Sequence, residues 1–506
     1  MKKLKHFAQA LLFLLLAGCL VGVTSRLLSH KESIVALKPF LETAGEYDVL
    51  FLGDSQVRNG VLPMELYHRY GIASYNLATN SSRLPMTYWR MMNALDRMTP
   101  KLVVLSVADA DEPERIHPSP EWMHVAFDGF PLTLTKAQAI LDLTEQSGAD
   151  SALLRGIRSE LFFPLQAYHT RWSSLTPEDF HPAYNTQKGA APMVHVSDPR
   201  PDSTLTAPDD CLPEEGDGYV YLRRIIEALR SRNIPIVLFH PPCPILPQAH
   251  RGTHTSAKIA AEYGVPMLNF LDMNRVADYN TDCADPGTHL NASGAQKLTD
   301  FLGQYLTSRY DLPDRREDAA YAHWNDEWDA YVEEKLRVIA EDADSLRSRL
   351  MLLHDDSFSV ILTVRPGFDY AHRNTMAALQ NVGRPNVYDD DDLVSAELNP
   401  LMGLEDAADF NKGYMFIVDR DAENECEAVQ EFYGIGESEF ETSFGCVFCR
   451  MDGEWIDLSI TQDGEETYYF DSWEDQEQDM RLILIDRRTG KPALTMAFSR
   501  TEEERN

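Results

Sequence analysis

Between residues 45 and 310, short and almost wholly apolar runs alternate with stretches of helical periodicity, and this alternation limits the fold more than any other feature of the chain. Asp48–Leu52 (DVLFL), Ala73–Leu77, Leu102–Val107 (LVVLSV), Pro235–Phe239 and Pro266–Phe270 read as strands. A strand that is apolar on both sides suits a parallel sheet covered on both faces. Pro63–Tyr70, Arg83–Arg97, Tyr219–Arg232, Thr255–Tyr263 and Ala292–Tyr305 read as the covering helices, with Pro63 in a first turn and Asn291 as a cap. The expected class is α/β, a three-layer α/β/α parallel-sheet domain. One gap, 109–216, is too long for a simple crossover. It holds two expected helices, Thr135–Gln146 and Ser151–Tyr168, and reads as a cap insertion over the strand ends.

A chain of 506 residues exceeds what one core organises. The formal charge is −34, unevenly spread: residues 1–310 carry 33 acids against 28 Lys and Arg, residues 311–506 carry 47 against 18. The shift places a domain boundary near Tyr310. So strong an acid excess argues against nucleic acid or an anionic bilayer as the main partner, because phosphates are repelled. The acidic half reads as a long helix, Asp318–Leu353, within a linking segment (311–356), followed by an α+β domain (357–506). Its expected strands are Ser359–Val364, Tyr414–Val418, Ser443–Met451, Trp455–Ile460, Arg481–Ile485 and Ala493–Phe498, with a helix at Asn374–Asn381. The run Asp389–Asp392 lacks the alternating spacing of a Ca²⁺ loop.

Lys2, Lys3 and Lys5 precede an apolar run from Phe7 to Val23. Basic residues ahead of such a run predict a cytoplasmic N-terminus and a translocated remainder. Residues 1–30 read as a signal anchor, a transmembrane helix holding an extracytoplasmic domain at the cell membrane. The alternative is a lipoprotein signal, since Leu16-Ala17-Gly18-Cys19 resembles a lipobox. Six further cysteines (Cys211, Cys243, Cys283, Cys426, Cys446, Cys449) permit disulfides outside the cytoplasm. Cys446 and Cys449 form a CxxC on an expected strand, where their side chains point to opposite faces, so no metal is expected there.

Chemistry concentrates at two places. Gly53-Asp54-Ser55 follows the first strand, at the carboxyl edge where parallel sheets form ligand sites. Asp285-Pro-Gly-Thr-His289 precedes the last helix of the same domain. A serine hydroxyl needs an imidazole to take its proton, and the imidazole needs an acceptor to fix its tautomer. These segments supply Ser55 as nucleophile, His289 as base and Asp285 as its orienter.

The order of Gly-Asp-Ser after the first strand, Asn76 after the second, and an Asp…His loop before the last helix resembles the SGNH/GDSL hydrolase family. Asp48–Ser55 (DVLFLGDS), Gly71–Leu77 (GIASYNL) and His289–Gly294 (HLNASG) are similar to its bacterial envelope branch, which includes alginate- and teichoic-acid-type acyltransferases. The resemblance implies a flavodoxin-like fold and an acyl-enzyme route needing neither metal nor cofactor. It implies an ester substrate, such as an acylated (O-acetyl) envelope polysaccharide, for an esterase or O-acyltransferase. The family's oxyanion glycine falls at Ser81, with Asn80 beside it and Asp54 at the nucleophile turn. Its oxyanion asparagine falls at Ala108, which has no side-chain donor. The family's Asp stands three residues before the His, whereas Asp285 stands four before His289, with Asp282 as the reserve. In the cap, Tyr168-His169-Thr170-Arg171-Trp172 suits sugar stacking and carboxylate or acyl recognition through His169 and Arg171. His240 could line the same cleft. The C-terminal domain resembles the interleukin-like EMT-inducer domain through Arg481–Gly490, which implies glycan binding; Trp455, Tyr468, Tyr469 and Trp473 fit a core equally well. Two rival readings are a non-catalytic glycan-binding scaffold and a partner-binding scaffold using the acidic domain.

Overall fold

The computed structural model describes residues 2–365 and 413–498, except 30, 146–150, 183–185, 198–209, 244–249, 272–275, 280, 344–347, 350, 356, 421–428, 453–455 and 472–479. The readings placed at Asn374–Asn381, Asp389–Asp392, Cys426, Trp455 and Trp473 lie outside the described residues.

The apolar N-terminal run lies in α1 (Lys2–Leu28), whose residues Leu4–Leu28 are long and apolar enough to cross a membrane. A second helix, α2 (Lys31–Thr43), follows at once. Its Ile34, Leu37 and Phe40 recur every three residues on one face and are buried against the following domain. Burying Leu37 and Phe40 stabilises that docking by about 1.5–3 kcal/mol each. The α/β domain therefore begins before residue 45.

Next come β1 (Val49–Leu52), α3 (Ser55–Gly60), α4 (Pro63–Tyr70), β2 (Ser74–Asn76), α5 (Leu84–Leu95) and β3 (Leu102–Ser106). The insertion carries α6 (Glu121–Phe127), α7 (Leu134–Leu143), α8 (Ser151–Phe162), α9 (Leu165–Tyr168) and α10 (Pro177–Phe180). The domain closes with α11 (Asp217–Arg230), β4 (Ile236–His240), α12 (His250–Tyr263), β5 (Met267–Asn269) and α13 (Ala292–Arg309). The five strands form one parallel sheet in the order β2-β1-β3-β4-β5. Alternate residues serve opposite faces. Leu50, Leu52, Val103 and Leu105 pack with α5 and α11 residues such as Met91 and Ile225. Val49, Phe51, Val104 and Val237 pack with Leu66 of α4 and Leu298 of α13.

The expected helix Ser151–Tyr168 is instead two, α8 and α9, parted at Pro164. Proline has no N–H to give and disfavours helical backbone in the residue before it. The insertion is also more than a cover over strand ends. Its stretch 187–197 is sewn along the domain: Asn76 N donates to Lys188 O (2.9 Å), Ala191 N to Arg58 O (2.9 Å) and Ala292 N to Met193 O (2.7 Å).

Beyond residue 310 the long helix is shorter than expected. A 3-10 turn (Ala319–Tyr321) precedes α14 (His323–Asp342), and a separate turn covers Met351–His354. The expected α+β domain is, among the described residues, two antiparallel sheets. One holds β6 (Phe358–Val364), β7 (Gly413–Val418), β8 (Val429–Gly434), β13 (Met480–Asp486) and β14 (Lys491–Phe498); the other holds β9 (Gly436–Thr442), β10 (Gly445–Met451), β11 (Ile456–Gln462) and β12 (Glu465–Asp471). Ile361, Ile417 and Ile483 of the first sheet meet Val447, Cys449 and Leu458 of the second. The alternate residues Val360, Leu362 and Leu482 face the other way and share a core with Trp324 and Tyr331 of α14. Burial on both faces thus makes the larger sheet the joint between the two halves of the chain.

Candidate active site

The carboxyl end of β1 runs into Gly53, Asp54 and Ser55, beside the point where the strand order reverses between β1 and β3. In parallel sheets that is where a crevice opens. A Cβ on Gly53 would stand 2.6 Å from Val57 Cγ2 and 2.8 Å from Ser106 Cβ, so the turn admits no side chain there. Asp54 caps α3, its carboxylate accepting from Gln56 N at 3.1 Å. Ser55 is consequently fixed as the first residue of α3, at the rim of the sheet.

The second segment arrives from the loop ahead of α13. His289 Nε2 lies 2.7 Å from Ser55 Oγ, and its Nδ1 hydrogen-bonds the Asp285 carboxylate. The spacing of four is absorbed by a tight turn: Asp285 Oδ1 accepts from Gly287 N (2.9 Å) and Thr288 N (2.7 Å). The Thr288 hydroxyl donates to Asp285 Oδ2 at 3.0 Å and sits 2.9 Å from His289 Nδ1, walling the ring–carboxylate pair. Asn291 fastens the far side. Its Oδ1 accepts from Gly294 N as the α13 cap (3.2 Å), and its amide donates to Thr281 O (2.7 Å) and His195 O (3.1 Å).

Charge is distributed unequally among the carboxylates. Partial burial pushes Asp285 upward, but the His289 ring and the Gly287 and Thr288 amides outweigh it and hold the carboxyl well below the usual range. Asp54 goes the other way: burial raises it, against the attraction of His289. Asp109, after β3, is raised well above the ordinary carboxylate value by burial and by Asp54. An ionised Asp285 beside a more readily protonated Asp54–Asp109 pair leaves one clear anion to face an imidazolium. Such an arrangement can draw a proton from Ser55 onto His289 and keep the resulting cation stable.

The other residues singled out in the sequence divide. Asn80 and Ser81 lie on the turn after β2, with Ser81 in the left-handed region at φ 52°. The Asn80 amide is taken up by Glu32 Oε1 of α2 at 3.2 Å. Asn76 does not reach the Ser55 hydroxyl; its amide ties the Val57 and Val61 carbonyls (2.8 and 2.9 Å), holding α3 in place. Ala108 N turns back onto Ser106 Oγ (3.2 Å). Asp282 accepts from Ser293 Oγ and Lys297 Nζ (both 2.8 Å), so it braces α13 rather than the ring. His169 bonds Gln166 O (2.9 Å) and is exposed. Arg171 donates to Leu28 O (2.7 Å), Ser29 O (2.9 Å) and Asp179 (2.9 Å), so its guanidinium is held at the end of α1. His240 is buried, bonded to Pro241 O at 2.8 Å. In the C-terminal sandwich Tyr468 packs against the core and Tyr469 is exposed. Cys449 is buried between the sheets and Cys446 is half-buried.

Three residues near the site went unrecognised in the sequence: Glu32, Arg58 and Thr288. Glu32 pairs with Arg58 of α3 while receiving Asn80, so α2 reaches the nucleophile turn from outside. Only the hydroxyl of Thr288, inside the Asp285–His289 spacing, had a local signal. Among the described residues no cluster of His, Cys, Asp and Glu is arranged to hold a metal ion. No family model matches the chain, and no curated protein does.

Proposed function

We propose that the protein is a membrane-anchored, extracytoplasmic serine esterase or O-acyltransferase of the SGNH/GDSL type, acting on acyl esters, such as O-acetyl, of a cell-envelope glycan. The observation that carries the reading is the 2.7 Å bond between Ser55 Oγ and His289 Nε2, with Asp285 on the opposite ring nitrogen. The strand order 2-1-3-4-5 and the long apolar α1 support the fold and anchor parts of the reading. Ser55 Oγ attacks the ester carbonyl carbon while its proton passes to His289 Nε2. The adduct collapses, the C–O bond to the leaving alcohol breaks, and His289 returns the proton to that alcohol. Water or a sugar hydroxyl then gives its proton to His289 and attacks acyl-Ser55; the carbonyl carbon–Oγ bond breaks, His289 returns the proton to Ser55 Oγ, and an acid or a new ester leaves. Asp285 stays ionised throughout.

A second reading, a glycan-binding scaffold with little turnover, is favoured by Ala108 and by the Asn80 amide being bound to Glu32. Losing one oxyanion donor costs on the order of 10²–10³ in rate. Hydrolysis of p-nitrophenyl acetate and labelling by a fluorophosphonate decide between them. We expect Ser55→Ala and His289→Ala to lower turnover by on the order of 10³ or more and Ser55→Ala to abolish labelling. Wild-type labelling no stronger than Ser55→Ala selects the binding scaffold.

A further inference from the structure

The junction between α1 and the cap is stiff. A helix leaves its last four carbonyls without partners, and here two cations fill them. Lys31 Nζ donates to Arg26 O (3.1 Å) and Leu27 O, and Arg171 donates to Leu28 O and Ser29 O. Both cations also meet Asp179 of the cap, Lys31 at 3.5 Å and Arg171 at 2.9 Å. Positive charge at a helix C-terminus is stabilising. The α9 helix, the 3-10 turn His169–Ser174 and α10 all pack against α1. The direction of α1 relative to the cap is therefore fixed, unlike that of a domain on a free leash.

Around that junction the cap exposes large aromatic side chains. Trp172 is 72% exposed, and Phe163 and Phe180 are each 57% exposed. None of them is buried by the chain, although each lies on or beside a segment touching α1. On α1 itself Leu11–Leu16 and Leu20 are also exposed.

We propose that Phe163, Trp172 and Phe180 form an interfacial docking surface that beds in the headgroup layer of the bilayer α1 enters. The proposal rests on the anchor part of the function proposed above. Tryptophan settles at the membrane–water boundary because its ring is apolar and its N–H polar, and phenylalanine adds apolar burial at the acyl boundary. The cap is thus a membrane-facing element, and Arg171 its fastening to the anchor.

The test uses the full chain in nanodiscs of phosphatidylethanolamine and phosphatidylglycerol. Co-elution with the discs after a carbonate wash reports the anchor alone. If the chain fails to incorporate, the anchor reading falls and the docking surface with it. In incorporated protein, the Trp172 emission is the difference between wild type and Trp172→Phe. We expect lipids brominated near the glycerol end of the acyl chain to quench this difference signal and aqueous iodide to leave it intact. Quenching by iodide and not by bromolipid would overturn the proposal, placing the ring in water. Shielding from both quenchers would also overturn it, in favour of a protein partner.

Discussion

At the residue scale, the proposed chemistry hangs on one ion–imidazole pair. Asp285→Asn keeps the shape of the turn but removes the anion that His289 faces, so kcat should fall by roughly 10²–10⁴ with little change in stability. Steady-state kinetics beside a melting curve checks this, and a mutant that merely unfolds would refute the orienting role. A second residue predicts a pH effect on folding. Burial brings His240 down to about 4, with the neighbouring His250 also lowering it and its bond to Pro241 O opposing. An unfolded histidine titrates near 6.5. The unfolded chain therefore binds the proton between those two values while the folded chain does not, and stability falls as pH drops through this window. The loss attributable to this ring is on the order of 2–4 kcal/mol. Urea midpoints at pH 7 and pH 5 should differ less in His240→Asn than in wild type. The Ser55, His289 and Asp285 positions were legible because strand-then-turn and loop-then-helix patterns each leave a local mark. Glu32 and Arg58 were not, since their pairing spans 26 residues and leaves no periodicity.

At the element scale, legibility followed burial. Strands β1, β3 and β4 are buried throughout and stood out as apolar runs. By contrast β8, β9 and β12 (VQEFYG, GESEFET and EETYYFD) mix acids with a few aromatics. Their apolar residues are too few to announce a strand without the partner sheet. The α2 helix was hidden by its neighbour, because a short amphipathic stretch beside a long apolar run reads as part of the tether. Asn291 tests how much of the site depends on a single helix start. It caps α13 and bonds two loop carbonyls while sitting two residues from His289. Replacing a cap by alanine costs about 0.5–2 kcal/mol, and Asn291→Ala should also lower kcat by loosening the loop. Thermal melts with kinetics test this, whereas unchanged kcat would confine the residue to stability.

At the scale of the whole molecule, a buried charge cluster holds the two halves together. Lys335 of α14 donates to Glu65 of the α/β domain (2.7 Å) and to Asp355 (3.1 Å) and Ser357 (2.8 Å) at the start of the sandwich. Burial favours a neutral Glu65, but Lys335 and Arg69 outweigh it and keep the carboxylate charged. Lys335→Met would strand two acids in the core, at a cost of about 3–5 kcal/mol. Calorimetry should then resolve two transitions where wild type shows one. A single transition merely shifted downward would mean that the shared apolar core, not the charges, couples the halves. Charge counting suggests a boundary near Tyr310, but the joint itself could not be read from sequence, because Glu65 lies 270 residues from Lys335.

Glu32 stands one residue past Lys31, which closes α1, and grips both Arg58 on the nucleophile helix and the Asn80 amide. Stem and reaction centre are consequently a single bracket with no slack between them. For the esterase proposed above, such a mounting sets the working height by the chain's own geometry, and the ester would have to come to that height.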